Sequence, residues 1–210
     1  MLSIHFRLIG VYLALLGCGA PSIAADNASL FAPCVACHGN KGEGNPALNA
    51  PAIAGQDAAY LERQLRNFRS DRRGTHPSDT FGAQMRALAK TLGDDAAVTK
   101  VASYVAGLPR TVSATPARGD LHNGKNLYNG NCGTCHGGTA EGNPALKSPR
   151  LAGLDAAYIK SQFAHFRDGL RGTNPQDVPG RQMAMMARTL PKERDLDDVV
   201  AFIQQQGRGK

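Results

Sequence analysis

Cys34-Val35-Ala36-Cys37-His38 and Cys132-Gly133-Thr134-Cys135-His136 are the two stretches on which the reading of this sequence turns. Two cysteines three residues apart on a helical turn present both thiols to the same side. They can then add to the two vinyl groups along one porphyrin edge, with the next histidine facing the iron. Each stretch therefore reads as an attachment site for one covalently bound haem c. Cys34, Cys37, Cys132 and Cys135 would bind the two groups, and His38 and His136 would each supply one iron ligand. Other chemistries also use paired cysteines. Disulfides suit an exported chain, while a thioredoxin-like pair needs a βαβ setting that is missing here. Zinc needs four ligands, and each unit offers three, with 98 residues between the units. Two units in one register favour haem over all of these.

The register extends well beyond the cysteines. A shift of 98 residues aligns Cys34–Leu92 with Cys132–Leu190 without a gap, and 31 of the 59 positions are identical. Such self-similarity marks an internal duplication. Glu43-Gly44-Asn45-Pro46-Ala47-Leu48 recurs as Glu141 to Leu146, Asp57-Ala-Ala-Tyr60 as Asp155 to Tyr158, and Gly82-x-Gln84-Met85 as Gly180-x-Gln182-Met183. Asp57 can cap a helix that carries Tyr60, Gln64 and Phe68 on one face, and Tyr158, Gln162 and Phe166 repeat it. A last helix in each half holds Val98, Val101, Ala102 and Val105, or Leu196, Val199, Val200 and Ile203. No segment alternates like a strand, so the expected fold is all-α, with Gly- and Pro-rich loops that need a central group to pack against.

Arg7 followed by the apolar run Leu8–Leu16 and by Ser22-Ile23-Ala24-Ala25 reads as an export signal, expected to span residues 1–25. The run is too short to cross a bilayer. Leu15-Leu16-Gly17-Cys18 resembles a lipobox, which makes a lipid anchor at Cys18 the alternative N-terminus. Export to the periplasm would leave domains at 26–109 and 120–210. Between them, residues 110–119 form an extended linker in the stretch bounded by Pro109 and Pro116. Each domain of about 90 residues is small for a core of its own.

The formal charge of +7 falls to +6 once Arg7 is removed. Divided at Thr115, the first half has 10 basic and 8 acidic residues and the second 13 and 9, or +2 and +4. Haem propionates would lower this further. A mildly basic exported chain suits an acidic protein partner or a membrane surface, and not nucleic acid.

The duplication also sorts the candidates for the second iron ligand. His76, His122 and His165 align with Asn174, Ala24 and Asn67, so none recurs, and they are expected on the surface or in loops. After Met1 the first half contains only Met85, and its counterpart is Met183. Met85 and Met183 are therefore the expected metal ligands opposite His38 and His136. Met185 and Met186 have no methionine counterparts and are expected to pack beside the haem. His/Met ligation raises the reduction potential relative to two histidines and leaves no position open for a small-molecule substrate.

Taken together, Cys-x-x-Cys-His-Gly, Glu-Gly-Asn, Tyr-x-x-x-Gln-x-x-x-Phe-Arg and Met-x-x-x-Ala-x-x-Leu, each present twice, resemble the dihaem cytochrome c4 family. The resemblance covers most of the chain after residue 25. It implies two tandem class I cytochrome c domains facing one another. It also implies a periplasmic electron carrier that is no enzyme, exchanging electrons with membrane oxidase or reductase complexes and delivering them towards a terminal oxidase. The alternative function is a cytochrome subunit of a dehydrogenase or a small dihaem oxidoreductase. By the same resemblance the carbonyls of Pro51 and Pro149 receive the hydrogen bond of the iron-bound histidine, and Gly124 and Tyr128 make an interhelical contact. With only Asp26–Pro33 ahead of its cysteines, the first domain is expected to start with a short helix. Arg63, Arg66, Arg69, Arg72 and Arg73 are expected to form a solvated helix face. Propionate pairing by the recurring Arg69 and Arg73, and docking by the others, are the alternatives.

Overall fold

The computed structural model describes residues 23–112, 117–190 and 192–208. The expected export segment up to residue 22, with Cys18, lies outside the described residues, as does 113–116 of the linker. Among the described residues the chain is helical, with no strand and only two isolated bridges, Asn45–Ala50 and Asn143–Ser148. None of these helices is long and apolar enough to cross a membrane.

The first repeat contains α1 (Ile23–Phe31), α2 (Val35–His38), α3 (Ala58–Arg69), α4 (Thr80–Ala89) and α5 (Asp95–Gly107). The second contains α6 (Leu121–Asn131), α7 (Gly133–His136), α8 (Ala156–Arg167), α9 (Val178–Met186) and α10 (Glu193–Arg208). Helix α1 begins three residues before the expected processing point. Aspartates start most of the longer helices by accepting free backbone N–H groups: Asp57 from Tyr60, Asp79 from Gly82, Asp94 from Ala97 and Asp120 from His122. Their charge also suits the positive end of the helix dipole.

In each repeat the first and last helices cross, and the α3 or α8 helix packs beside them. Phe31, Leu61, Val101, Ala102 and Val105 form the first core, and Tyr128, Ile159, Val199, Val200, Phe202 and Ile203 the second. Gly124 lets α6 approach α10 closely. A Cβ there would stand 2.0 Å from the Asp198 carbonyl oxygen, which a backbone atom cannot relieve. Tyr128 is fully buried, stacks obliquely on Phe202 at 5.2 Å and donates its hydroxyl to the Gly137 carbonyl (2.7 Å). That bond ties the helix crossing to the segment carrying His136.

Candidate functional site

The short helices α2 and α7 each end on a glycine with positive φ, Gly39 at 78° and Gly137 at 82°. The conformation favours glycine, and packing also demands it. A Cβ on Gly39 would lie 2.3 Å from the Glu43 carboxyl carbon, and one on Gly137 would lie 2.4 Å from that of Glu141. Each glutamate folds back to accept from the backbone, Glu43 from Lys41 (2.7 Å) and Glu141 from Thr139 (2.8 Å). The recurring Glu-Gly-Asn is thus the brace of the loop after the histidine.

That loop fixes the histidine. His38 and His136 are buried, and their Nδ1 atoms donate to the carbonyls of Pro51 (2.9 Å) and Pro149 (2.8 Å). Burial pulls both imidazoles below the ordinary histidine range, with the carbonyl bond acting against it. A neutral ring with Nδ1 engaged leaves Nε2 as the free donor atom. The histidine backbone is held as well, since the carbonyls of His38 and His136 accept from the N–H groups of Gly44 and Gly142 at 2.8 Å. Among the described residues no disulfide joins Cys34, Cys37, Cys132 or Cys135. Burial, then the neighbouring thiol, pushes Cys34 and Cys132 up to about 11. Among the described residues no three His, Cys, Asp or Glu side chains converge on a metal site, so the zinc alternative lacks its further ligands.

In the second repeat Cys132, Cys135 and His136 line a cavity of about 690 Å3 together with Met183, Met185 and Met186. Its other walls are mainly apolar, including Leu151, Ile159, Phe163 and Val199. Met183 packs against Phe166, Ala184 and Ala187, while Met185 is 63 % exposed. In the first repeat His38 is buried, Cys34 packs on the first core, and Met85 sits half-buried on α4 at the position of Met183.

The cavity runs on to the face between the repeats, where Tyr60, Arg63 and Gln64 of the first meet Tyr158, Gln162 and Arg171 of the second. Arg73 donates to Gln64 (2.8 Å) and across to Gln162 (2.9 Å). Arg171 donates to Gln162 (2.7 Å) and across to Gln64 (2.9 Å). The reciprocity reveals a pseudo-two-fold axis between the copies. Arg73 lies over Phe68 and Arg171 over Phe166, both at 4.4 Å. Gln56 adds a two-point tie by donating to the Arg150 carbonyl and accepting from its N–H, each at 3.0 Å. Arg63 reaches the Lys147 carbonyl (2.6 Å) and Arg72 the Gln176 side chain (2.8 Å).

The expected solvated arginine face is thus corrected. Arg63, Arg72 and Arg73 serve the interface, whereas Arg66 and Arg69 pair with Asp95 of their own repeat. His165, expected to be an ordinary surface or loop histidine, is also drawn inward, with Nδ1 3.7 Å from buried Asp79. The recurrence of Tyr60, Gln64 and Arg73 marked them as important without revealing that they face their own copies. Gln56 gave no such signal, because its counterpart is Leu154.

This interface tests whether the site suits haem. Two guanidiniums are buried together with no carboxylate at ion-pair distance among the described residues, and the Nε atoms of both lack a partner. Burial alone would raise the Tyr60 hydroxyl, yet Arg171, Arg73 and Arg63 outweigh it and hold it below the ordinary tyrosine range. Uncompensated buried charge is costly, so the face is built for anions. A group with an apolar body and peripheral carboxylates fits both the cavity and its positive end.

The Cytochrome c family profile matches residues 24–109 and 121–207. Cytochrome c4 of Thiocapsa roseopersicina is 34% identical over 163 residues, 73% of this chain and 79% of that protein. The thiosulfate dehydrogenase electron acceptor of Thiomonas intermedia is 35% identical over 170 residues, 74% and 72%. Reduced recombinant cytochrome c4 from Pseudomonas stutzeri superposes with a TM-score of 0.68 at 27% identity, covering 86% of this chain and 97% of that one.

Proposed function

The chain belongs to the cytochrome c family, among the dihaem cytochromes c4, and from that premise we propose that it carries electrons in the periplasm, towards a terminal oxidase. It carries two covalently bound haem c groups and is an electron-transfer protein, not an enzyme, working between redox protein partners. In the proposed arrangement residues 1–25 are removed, and domains 26–109 and 120–210 are joined by the linker 110–119.

We assign Cys34 and Cys37, and Cys132 and Cys135, as the thioether attachment points. His38 with Met85, and His136 with Met183, are the iron ligands. The bound haem supplies a one-electron couple at iron. The protein's residues do the rest. The Pro51 and Pro149 carbonyls hold each histidine in one tautomer and orientation. The methionines would supply the second iron ligand, the apolar walls would exclude water, and Arg73 and Arg171 would receive peripheral carboxylates. Such a closed, preformed site needs little rearrangement when charge changes. The observation that supports this reading best is the second cavity, which gathers Cys132, Cys135, His136 and Met183. The relatives named as thiosulfate dehydrogenase electron acceptors favour a second reading of the donor, in which a dehydrogenase feeds this carrier.

Carbon monoxide added to the reduced native protein at neutral pH tests the ligation, and should barely alter the spectrum. Stoichiometric binding at either haem would mean an open iron and overturn the carrier reading. Intact mass after acid extraction should exceed that of the polypeptide by two haems.

A further inference from the structure

The two repeats differ most informatively on the outer side of the helix that bears the methionine. In the first, Asp71 adopts a left-handed conformation (φ 58°) and pairs with Arg86 and, at 2.7 Å, with Lys90. This clasp closes the surface over α4 and neutralises its cations. In the second repeat the same turn carries Gly169 in place of Asp71, and Ala184 in place of Arg86. With both side chains gone, a cleft of about 480 Å3 opens beside α9.

The clasp was not simply lost. Lys90 is matched by Arg188, and Ala83 by Arg181, so two exposed guanidiniums line the cleft and no carboxylate does. Neither arginine has an ion-pair partner among the described residues, and Arg188 reaches only the Arg167 carbonyl (3.4 Å). Thr80 and Ala87 are matched by Val178 and Met185, which are 56 % and 63 % exposed. An apolar patch edged by unpaired charge of one sign is what a protein docking site requires. Val178, Gln182 and Met185 also line the second haem cavity, so an occupant of the cleft sits one helix away from the redox centre.

We propose that this cleft is where an acidic redox protein docks to exchange electrons with the second domain, by placing an apolar side chain against Val178 and Met185 and carboxylates on Arg181 and Arg188. The proposal rests on the carrier reading and deepens it. A small oxoanion would leave the apolar walls unused, and the first repeat, with its clasp closed, offers no equivalent surface.

The test uses the dihaem protein in its reduced form, with oxidised acidic plastocyanin as protein probe and hexacyanoferrate(III) as small probe. Arg181→Glu/Arg188→Glu should slow oxidation by plastocyanin about tenfold at low ionic strength and flatten its salt dependence. Arg118→Glu/Lys125→Glu, which changes net charge equally on an exposed region of the same repeat, should cost less than about twofold. Met185→Ala should slow the protein reaction about two- to threefold without altering its salt dependence. Equal losses in the two charge variants would reduce the effect to net charge and overturn the proposal. So would an unchanged rate in Arg181→Glu/Arg188→Glu, or a native protein oxidised by hexacyanoferrate alone. A native protein that neither probe oxidises would instead overturn the carrier reading.

Discussion

Replacing Gln56 by leucine, the residue at the equivalent place in the second repeat, should disturb the haem site of the other domain. Gln56 is buried, and its side-chain amide makes two 3.0 Å bonds to the backbone of Arg150. Arg150 directly follows Pro149, whose carbonyl holds His136 at 2.8 Å. Leucine conserves the volume but leaves the Arg150 N–H and carbonyl without partners. Two neutral hydrogen bonds at about 1 kcal/mol each put the loss near 2 kcal/mol. For a molecule of this size that lowers the melting temperature by about 4–8 °C. The second effect is electronic. A firm Nδ1–H···O=C bond makes imidazole more basic and favours oxidised iron, so slackening it raises the reduction potential. About 0.5–1 kcal/mol of lost bond strength corresponds to about 20–40 mV for a one-electron couple. Spectroelectrochemical titration, with the two haems distinguished by their methyl resonances, reads both potentials. The second-domain potential should rise and the first, governed by His38 and Pro51, should stay put. If the two potentials move together, or neither moves while the melting temperature falls, Gln56 is only an interface residue and the link to His136 is wrong.

Met85→Leu and Met183→Leu should each remove half of the methionine–iron charge-transfer absorbance of the oxidised protein, and Met185→Leu or Met186→Leu should leave it intact. A dominant loss in Met186→Leu would mean that the repeat alignment chose the wrong ligand. Gly124→Ala drives a methyl into the Asp198 backbone, so the second domain should lose about 3 kcal/mol or more in denaturant titrations. A change below about 1 kcal/mol would show that α6 can shift freely. Burial holds His165 below the ordinary histidine value of 6.5, against the pull of Asp79 and with Arg171 and Arg73 opposing protonation, while Asp168 favours it. The folded state therefore takes up this proton less readily than the unfolded chain. Its stability contribution is complete above about pH 6.5 and is lost as the pH falls towards the lower folded value. His165→Asn, which restores the residue found at Asn67, should flatten the fall in stability as the pH drops below about 6.5, and parallel curves would refute this.

What could be read from the sequence alone depended on short-range geometry. The spacing within Cys-x-x-Cys-His places thiols and imidazole on one side of a single turn, whatever the rest of the chain does. Asp57 and Asp155 cap helices through bonds that span three residues. The 98-residue shift doubled the value of each such signal, separating Met85 and Met183 from the unrepeated methionines and histidines. Gly124 and Tyr128 were legible only through the resemblance to the dihaem cytochrome c4 family, and the structure supplies the reason, a helix crossing too close for a Cβ. The surroundings of long polar side chains were not legible. An arginine such as Arg73 or Arg63 looks like solvated surface until the element facing it is known, and here that element is the second copy of the same structure. Gln56 bonds a backbone 94 residues away, and His165 comes within 3.7 Å of Asp79 of the other repeat, so no local pattern could announce either. The open cleft beside α9 likewise follows from two distant changes, Gly169 and Ala184, whose side chains in the first repeat meet only in three dimensions. Chain connectivity sets which groups lie within one turn of each other, and only the docking of the two repeats decides which charges are paired, buried or left open to a partner.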